Sequence, residues 1–186
     1  MAVTRACCWT VAEYRRMVEA GILGSGDRVE LLEGQILEMS PQTPPQAGTV
    51  SRINRLLQRE LGERADIRVQ LPLTLVASEP EPDLAVVRFD LGEYGDRHPS
   101  AADVLWLIEV AYTTQAFDRE VKGPLYARAG VADYWVVDVA ARQVCIYRQP
   151  TPQGYQSERV LRVGETVAPL AFPGLAIRLG DLFLPG

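Results

Sequence analysis

Apolar residues recur at two different spacings along this chain, and these spacings divide it into helices and strands. Thr10 and Glu13 have the spacing of a capping box, which predicts a helix that begins after Thr10 and ends at Gly21. A second, amphipathic helix is predicted over about residues 46–62. Its apolar positions follow helical spacing: Val50, Ile53, Leu56, Leu57 and Leu61.

The middle of the chain has the pattern of a buried sheet. Leu84–Val87 and residues 104–110 are continuous apolar runs, which are expected of strands covered on both faces. Residues 67–76 alternate in part between apolar and polar, and this predicts another strand. The polar segment 88–102 is predicted to be a loop. A helix is then predicted over residues 118–130, with the final glycine ending it.

The remaining segments predict hairpins and short elements. Residues 28–39 are expected to form a hairpin around Glu33-Gly34, and residues 134–148 a second one. Further short elements are predicted at residues 155–160 and 175–184. The order strand, strand, helix, strand over residues 82–138 is expected to bring the C-terminal ends of neighbouring strands beside one helix. The pattern therefore predicts one mixed α/β domain over residues 1–186, with a central sheet, helices on its faces and a C-terminal hairpin.

Composition and charge exclude several classes of protein. The 186 residues are 47% hydrophobic and 23% charged, which is typical of a globular domain that buries a core. The net charge of −5 argues against an architectural DNA-binding protein, although not against a nuclease with local phosphate contacts. No apolar run has the length of a membrane span, and no signal-peptide pattern is present. Three cysteines without metal-binding spacing predict free thiols and a cytoplasmic protein.

Two carboxylates and a lysine are the candidate site. Asp83 opens the first apolar run, Glu109 closes the second, and Lys122 follows on the predicted helix. Carboxylate oxygens are the ligands that Mg²⁺ or Mn²⁺ prefers, and the backbone carbonyl of Val110 could supply one more. Such a metal neutralises a scissile phosphate and orients water, while a lysine stabilises the developing charge. The residue types therefore point to metal-dependent phosphodiester hydrolysis.

Helical spacing favours a lysine that faces the sheet. Asp118, Lys122 and Tyr126 lie at i, i+4 and i+8, on the face that also carries Leu125 and Ala129. A lysine on a core-facing stripe needs an anionic partner, and the two strand-end acids are the natural candidates.

Structural explanations remain open for each of these residues. Asp83 could cap a turn, Lys122 could be a solvated helix residue, and Glu30 could be a salt-bridged acid of an edge strand. His98, the only histidine, precedes a proline and is expected to be a loop residue.

The ordered set of motifs resembles the Uma-two family of restriction-endonuclease-like proteins. The resemblance spans about residues 9–184 and rests on these segments: 28–34 (RVELLEG), 82–87 (PDLAVV), 107–110 (LIEV), 118–122 (DREVK), 126–131 (YARAGV) and 134–138 (YWVVD). It implies the PD-(D/E)XK restriction-endonuclease-like fold, a divalent metal, commonly magnesium, and nucleic acid as the substrate. The usual lysine position of that superfamily is Ala111 here, and Lys122 matches the related form in which the lysine lies on the following helix. The resemblance also maps an early glutamate of the family to Glu30, as an additional metal or water contact.

The chain departs from the family pattern at three places. Gln35 replaces a residue that is commonly acidic, Gln46 or Ala47 stands where a histidine is usual, and Tyr112-Thr113-Thr114 replaces small polar or acidic residues. The leading interpretation is a magnesium-dependent endonuclease that acts on DNA. The alternative is a catalytically weakened nuclease fold that binds nucleic acid or protein, and a third interpretation is hydrolysis of a small phosphorylated molecule. The resemblance is also compatible with a homodimer formed through an exposed Trp135 or the C-terminal hairpin.

Overall fold

The first part of the fold is a capped helix followed by a tight hairpin. The computed structural model describes residues 7–24 and 26–185. Helix α1 (Val11–Glu19) begins at the expected capping box, in which Thr10 and Glu13 exchange hydrogen bonds. Strands β1 (Val29–Leu32) and β2 (Gln35–Glu38) pair antiparallel across Glu33-Gly34. Both turn residues have positive φ, at 49° and 80°, as the tight hairpin turn requires.

A six-stranded sheet forms the centre of the molecule. Its strands lie, in spatial order, at Asp66–Val69 (β3), Leu84–Val87 (β4), Val104–Ala111 (β5), Asp133–Asp138 (β6), Gln143–Thr151 (β7) and Gly154–Arg162 (β8). Among these described strands, β5 and β6 pair in parallel and all other neighbours pair antiparallel. Five of these strands agree with the sequence pattern to within a few residues.

Helices cover both faces of this sheet. Helix α2 (Pro44–Leu61) packs its apolar face against one side, where Trp106 and Trp135 are fully buried. The other face is covered by the helical segment 115–128, which consists of α3 (Gln115–Phe117), a π-helical turn (Asp118–Lys122) and α4 (Gly123–Arg128). The mixed α/β sheet flanked by helices is therefore confirmed.

The C-terminal region adds a small antiparallel pair. Strands β9 (Thr166–Val167) and β10 (Ile177–Arg178) pair with each other and are followed by a short 3₁₀ turn, Leu179–Asp181. The hairpin expected over residues 134–148 is observed as the antiparallel pair β6 and β7, and the short element expected at residues 175–184 contains β10. Among the described residues, no helix is long and apolar enough to cross a membrane.

Three expectations about individual segments are wrong. The strand predicted over residues 67–76 ends at Val69, because Gln70 has a left-handed backbone with φ 52° that a strand cannot continue. The helix predicted over residues 118–130 begins three residues earlier and contains a π-helical turn. Trp135 is fully buried, so it is not available to an interface.

Candidate functional site

Asp83 and Glu109 meet because their strands run in opposite directions. Asp83 immediately precedes β4, Glu109 lies near the end of β5, and Leu84 pairs with Ile108 between them. The N-terminal end of β4 therefore lies beside the C-terminal end of β5. The expectation that two C-terminal strand ends would meet is wrong for this pair, whereas the convergence of the two acids is observed.

Backbone N–H groups of the strand pair donate hydrogen bonds to both carboxylates. The backbone N–H of Asp83 donates to Glu109 Oε2 at 3.1 Å, and the backbone N–H of Val110 donates to Asp83 Oδ2 at 2.8 Å. Both carboxyl groups are buried, with Asp83 9% and Glu109 3% exposed. Their geometry is thus fixed by the sheet itself rather than by flexible side chains.

Lys122 joins Asp83 and Glu109 from the helical segment that covers this face of the sheet. Glu109 shares the sheet face of Leu107 and Ala111, which is the face covered by the helical segment 115–128. Lys122 Nζ lies 3.1 Å from Glu109 Oε1 and 3.2 Å from Glu30 Oε2. The lysine is buried, so both partners are needed to compensate its charge.

The π-helical turn sets the position of Lys122 relative to its helix. The backbone N–H of Gly123 donates to the carbonyl of Asp118, five residues earlier, and Pro124 follows without an N–H to donate. Lys122 and Tyr126 nevertheless share the inner face, and the Tyr126 hydroxyl donates to Glu109 Oε1 at 3.0 Å. The inward face predicted from helical spacing is observed.

Glu30 joins the site from the β1–β2 hairpin. Its side chain is buried, and Oε2 accepts the backbone N–H of Glu81 at 3.1 Å as well as the contact from Lys122. The carboxylate therefore ties the hairpin to the loop that precedes Asp83. The four side chains singled out in the sequence lie around one point.

Two glutamines in this site were not predicted from the sequence. Gln42 Nε2 and Gln70 Nε2 both donate to Asp83 Oδ1, at 3.1 and 3.0 Å. Gln70 also donates its backbone N–H to the Asp83 carbonyl at 3.2 Å, and its left-handed φ directs the chain away from the sheet. Strained backbone of this kind is concentrated at functional sites. Neither glutamine belongs to a periodic pattern, so periodicity could not reveal them.

Burial and mutual repulsion shift the proton affinities of the acids. Burial raises the pKa of Asp83 to about 6, with repulsion from Glu109 as the next cause. Burial and the same neighbour raise the pKa of Asp118 to about 8. Burial opposes the charge of Lys122, but attraction from Glu109 and Glu30 raises its pKa above the ordinary value. The site therefore combines acids that resist ionisation with a lysine that stays charged.

These groups line an open cleft of about 400 Å³. Six acids and two cationic residues border it: Glu30, Glu38, Glu81, Asp83, Glu109, Asp118, Arg28 and Lys122. Gln46, Thr113 and Thr114 also line the cleft, so two of the three departures from the family pattern face this space. The lining is strongly acidic, which favours a cation.

The donor set fits a divalent cation held by few protein ligands. Among the described residues, no three His, Cys, Asp or Glu side chains form a group that could hold a metal ion on their own. Asp83 and Glu109 supply two hard carboxylates. The N–H of Val110 faces Asp83, and in a β-strand the N–H and C=O of one residue face the same side, so strand geometry directs the Val110 carbonyl towards Asp83 as well. Two carboxylates, one carbonyl and water is an arrangement that suits Mg²⁺.

One signal in the sequence would have singled out Lys122 directly. The chain has 19 lysine and arginine residues, and Lys122 is the only lysine. Arginine serves at every other cationic position. Lysine stands where a compact ammonium fits between two buried carboxylates.

Comparison with known proteins agrees with this architecture. No curated protein matches the chain. The structure is similar to the crystal structure of "a putative nuclease belonging to DUF820" from Anabaena variabilis, with a TM-score of 0.76 and 20% sequence identity over 94% of this chain and 97% of that one. At this identity the likeness establishes the fold. Residues 11–180 match the family described as "Uma2: Putative restriction endonuclease", and the chain therefore belongs to the Uma2 family.

Proposed function

We propose that the chain forms one metal-dependent nuclease domain that hydrolyses phosphodiester bonds in DNA. The observation that carries the proposal is the convergence of Asp83, Glu109 and Lys122 in one acidic cleft, within a fold similar to that of a solved protein described as "a putative nuclease". Each residue comes from a different element of the central sheet and its covering helix. A structural ion pair alone would not require two carboxylates beside an open cleft.

Asp83 and Glu109, with the Val110 carbonyl, would hold the divalent cation. A bound Mg²⁺ or Mn²⁺ supplies charge neutralisation of the scissile phosphate and a polarised water. The protein contributes rigidity, because backbone N–H groups of β4 and β5 fix both carboxylates. Gln42 and Gln70 hold the remaining oxygen of Asp83 from the cleft side.

Lys122 would act as a fixed positive charge rather than as a proton acceptor. Its pKa lies above the ordinary value, so the ammonium keeps its proton at neutral pH. Glu30 and Glu109 contact the ammonium, and no other acceptor among the described residues binds it, so a donor is left for a phosphate oxygen or the attacking water. Glu30 would therefore position the lysine, and its role is that of an orienting group.

A cleavage assay with matched variants tests this function. Purified protein is incubated with plasmid and single-stranded DNA in Mg²⁺ or Mn²⁺, beside Asp83→Ala and Lys122→Ala. Asp96→Asn, an exposed acid of the loop before β5, serves as the control. We expect cleavage by the wild type and the control and none by the two site variants. A folded wild type that is as inert as the variants with every substrate and metal would exclude the enzymatic function.

A second candidate is a nuclease fold that binds without turnover. It is favoured by the hydrogen bonding of the site, in which both oxygens of Asp83 and both of Glu109 already accept bonds from protein donors. Thermal melting with added Mn²⁺ separates the two candidates, because a ligand that binds only the native state raises the melting temperature. No shift in melting temperature, together with tight binding to DNA or protein, would select the binding module.

A further inference from the structure

Within the part of the chain that the structure describes, strand β3 is one open edge of the central sheet, and β8 is the opposite edge. A second cleft of about 510 Å³ runs beside it, between the 3₁₀ turn Gly62–Arg64 and the loop after β4. Three apolar side chains line this cleft and remain exposed: Leu71 at 43%, Phe89 at 55% and Leu91 at 91%. Apolar groups of this size grouped beside a sheet edge mark an interaction surface.

The ladder geometry shows which backbone groups of β3 face outward. The N–H of Gln70 bonds to the carbonyl of Asp83, so these two residues form a hydrogen-bonded pair. Such pairs alternate along an antiparallel ladder, so Arg68 and Asp66 also direct their backbone groups towards β4. Ile67 and Val69 therefore direct their N–H and C=O groups away from the sheet, where an added strand would bind them.

The side chains of β3 are complementary to themselves. Asp66 and Arg68 lie on one face of the strand, two residues apart, with Ile67 between them on the other face. If a second β3 pairs antiparallel about a two-fold axis at Ile67, Asp66 lies opposite Arg68 of the second copy. The same axis places Arg68 opposite Asp66 of that copy. One register thus creates two opposite-charge cross-strand pairs.

Both charged groups have bonding capacity left within a single copy. The Nε of Arg68 is buried and has no hydrogen-bond partner among the described residues, and its guanidinium lies 5.7 Å from the ring of Tyr94. Asp66 Oδ2 accepts the backbone N–H of Asp90 at 2.9 Å, and its other oxygen makes no hydrogen bond within the described part of the chain. The terminal N–H groups of Arg68 also make no hydrogen bond to the described residues, and a carboxylate across the dyad would supply their acceptor.

We propose that β3 pairs antiparallel with β3 of a second copy, in the register centred on Ile67, and so forms a homodimer with one continuous sheet. Leu71, Phe89 and Leu91 border the joined edges and contribute apolar contact. The interface is isologous, so each copy supplies the same residues to the other.

The opposite edge of the sheet is less suited to this role. On β8, the carboxylate of Glu158 already binds Arg119 at 2.9 Å and the Tyr147 hydroxyl at 3.2 Å. That acid is committed within its own chain. Arg159 on the same edge is exposed and provides a control position.

Charge reversal at two positions tests the proposed dimer. Light scattering coupled to gel filtration should give the wild type twice the chain mass of 20.6 kDa. Arg68→Asp places two acids opposite each other, and Asp66→Arg places two arginines opposite each other. Each should weaken self-association about tenfold or more, as expected when two cross-strand pairs change sign. Arg159→Asp should leave the mass unchanged.

Mixing the two single variants makes the test independent of folding defects. The Arg68→Asp variant carries acids at positions 66 and 68, and the Asp66→Arg variant carries arginines at both positions. In a mixed pair each acid therefore lies opposite an arginine, so an equimolar mixture should recover the dimer mass. Hydrogen exchange at the amides of Ile67 and Val69 should slow with rising wild-type concentration. A wild type that stays at single-chain mass up to millimolar concentration would overturn the proposal. A dimer insensitive to both substitutions, or variants that do not pair on mixing, would overturn it equally.

Discussion

Lys122 Nζ lies 3.1 Å from Glu109 Oε1, and both groups are buried beneath the helical segment 115–128. Glu30 contacts the same ammonium at 3.2 Å from the β1–β2 hairpin. Through these two ion pairs, Lys122 links its own helical segment to a hairpin and to a central strand. A group in this position affects the stability of the fold as well as any chemistry in the cleft.

Replacing Lys122 with methionine should destabilise the protein strongly. The substitution keeps the length of the stem but leaves Glu30 and Glu109 buried without a counter-charge. Breaking a buried pair in this way costs about 3–5 kcal/mol. Urea denaturation measures the change in the free energy of unfolding. The double variant Glu30→Gln/Lys122→Met should recover part of the loss, and a loss below about 1 kcal/mol in Lys122→Met would contradict a buried charge network.

The ammonium of Lys122 should remain protonated in strongly alkaline solution. Attraction from the surrounding carboxylates raises its pKa above the ordinary value, despite the opposing effect of burial. Since Lys122 is the only lysine, ¹³C-lysine labelling gives one side-chain signal without mutagenesis. We expect its Cε shift to stay constant through the pH range in which free lysine titrates. Titration of the folded protein at or below the pKa of free lysine would contradict the observed ion pairs.

The sequence predicted those parts of the fold in which local pattern and tertiary structure agree. The apolar run Leu84–Val87 is the strand β4 that it predicts, because a strand buried on both faces has no polar positions. Helical spacing predicts that Lys122 faces the sheet. The structure agrees, because this spacing survives the π-helical turn. The contact between Lys122 and Glu109 could be predicted from the sequence for the same reason.

Other features depend on contacts between distant segments. Gln42 and Gln70 belong to two different loops, and only the folded chain brings both to Asp83. The sequence likewise gave no sign that β3 would end at Gln70, since its positive φ is stabilised by the bond to Asp83 rather than by its residue type. The antiparallel direction of β4 is also a tertiary property.

Removing the hydroxyl of Tyr126 should take away one hydrogen bond to Glu109 without leaving a cavity, because the ring stays in place. Tyr126 is fully buried, and its hydroxyl donates to the same Oε1 that binds Lys122. Tyr126→Phe should lower the free energy of unfolding by about 1.5–3 kcal/mol, the range for a hydrogen bond to a charged group. Tyr134→Phe is the matched control, because that hydroxyl donates to a backbone carbonyl, of Asp118. Equal losses in both variants would argue against a special contribution of the Glu109 bond.

The stability of the protein should fall as pH rises from about 4 to about 8. Burial, followed by repulsion from Glu109, raises the pKa of Asp118 to about 8, whereas the unfolded chain has the ordinary value of 3.8. Between these values the native state binds a proton that the unfolded state has lost, so rising pH favours unfolding. Asp83, with a pKa of about 6, acts in the same direction. Unfolding free energies measured in urea with a metal chelator present should therefore decrease across this range.

Asp118→Asn should reduce this slope and raise stability at pH 8, while leaving stability at pH 4 nearly unchanged. The amide keeps an oxygen that can accept the Thr114 hydroxyl, as Asp118 Oδ2 does at 2.9 Å. The gain at pH 8 should be about 2 kcal/mol or more, since one pKa unit corresponds to about 1.4 kcal/mol.

Asp103→Asn is the control, because the pKa of Asp103 is shifted in the opposite direction. Its hydrogen bond from Arg97 lowers the Asp103 pKa to about 2, so this acid stabilises the fold above about pH 4, and the contribution is lost as pH falls through 2. Parallel pH profiles for Asp118→Asn and the wild type would show that Asp118 ionises normally in the cleft.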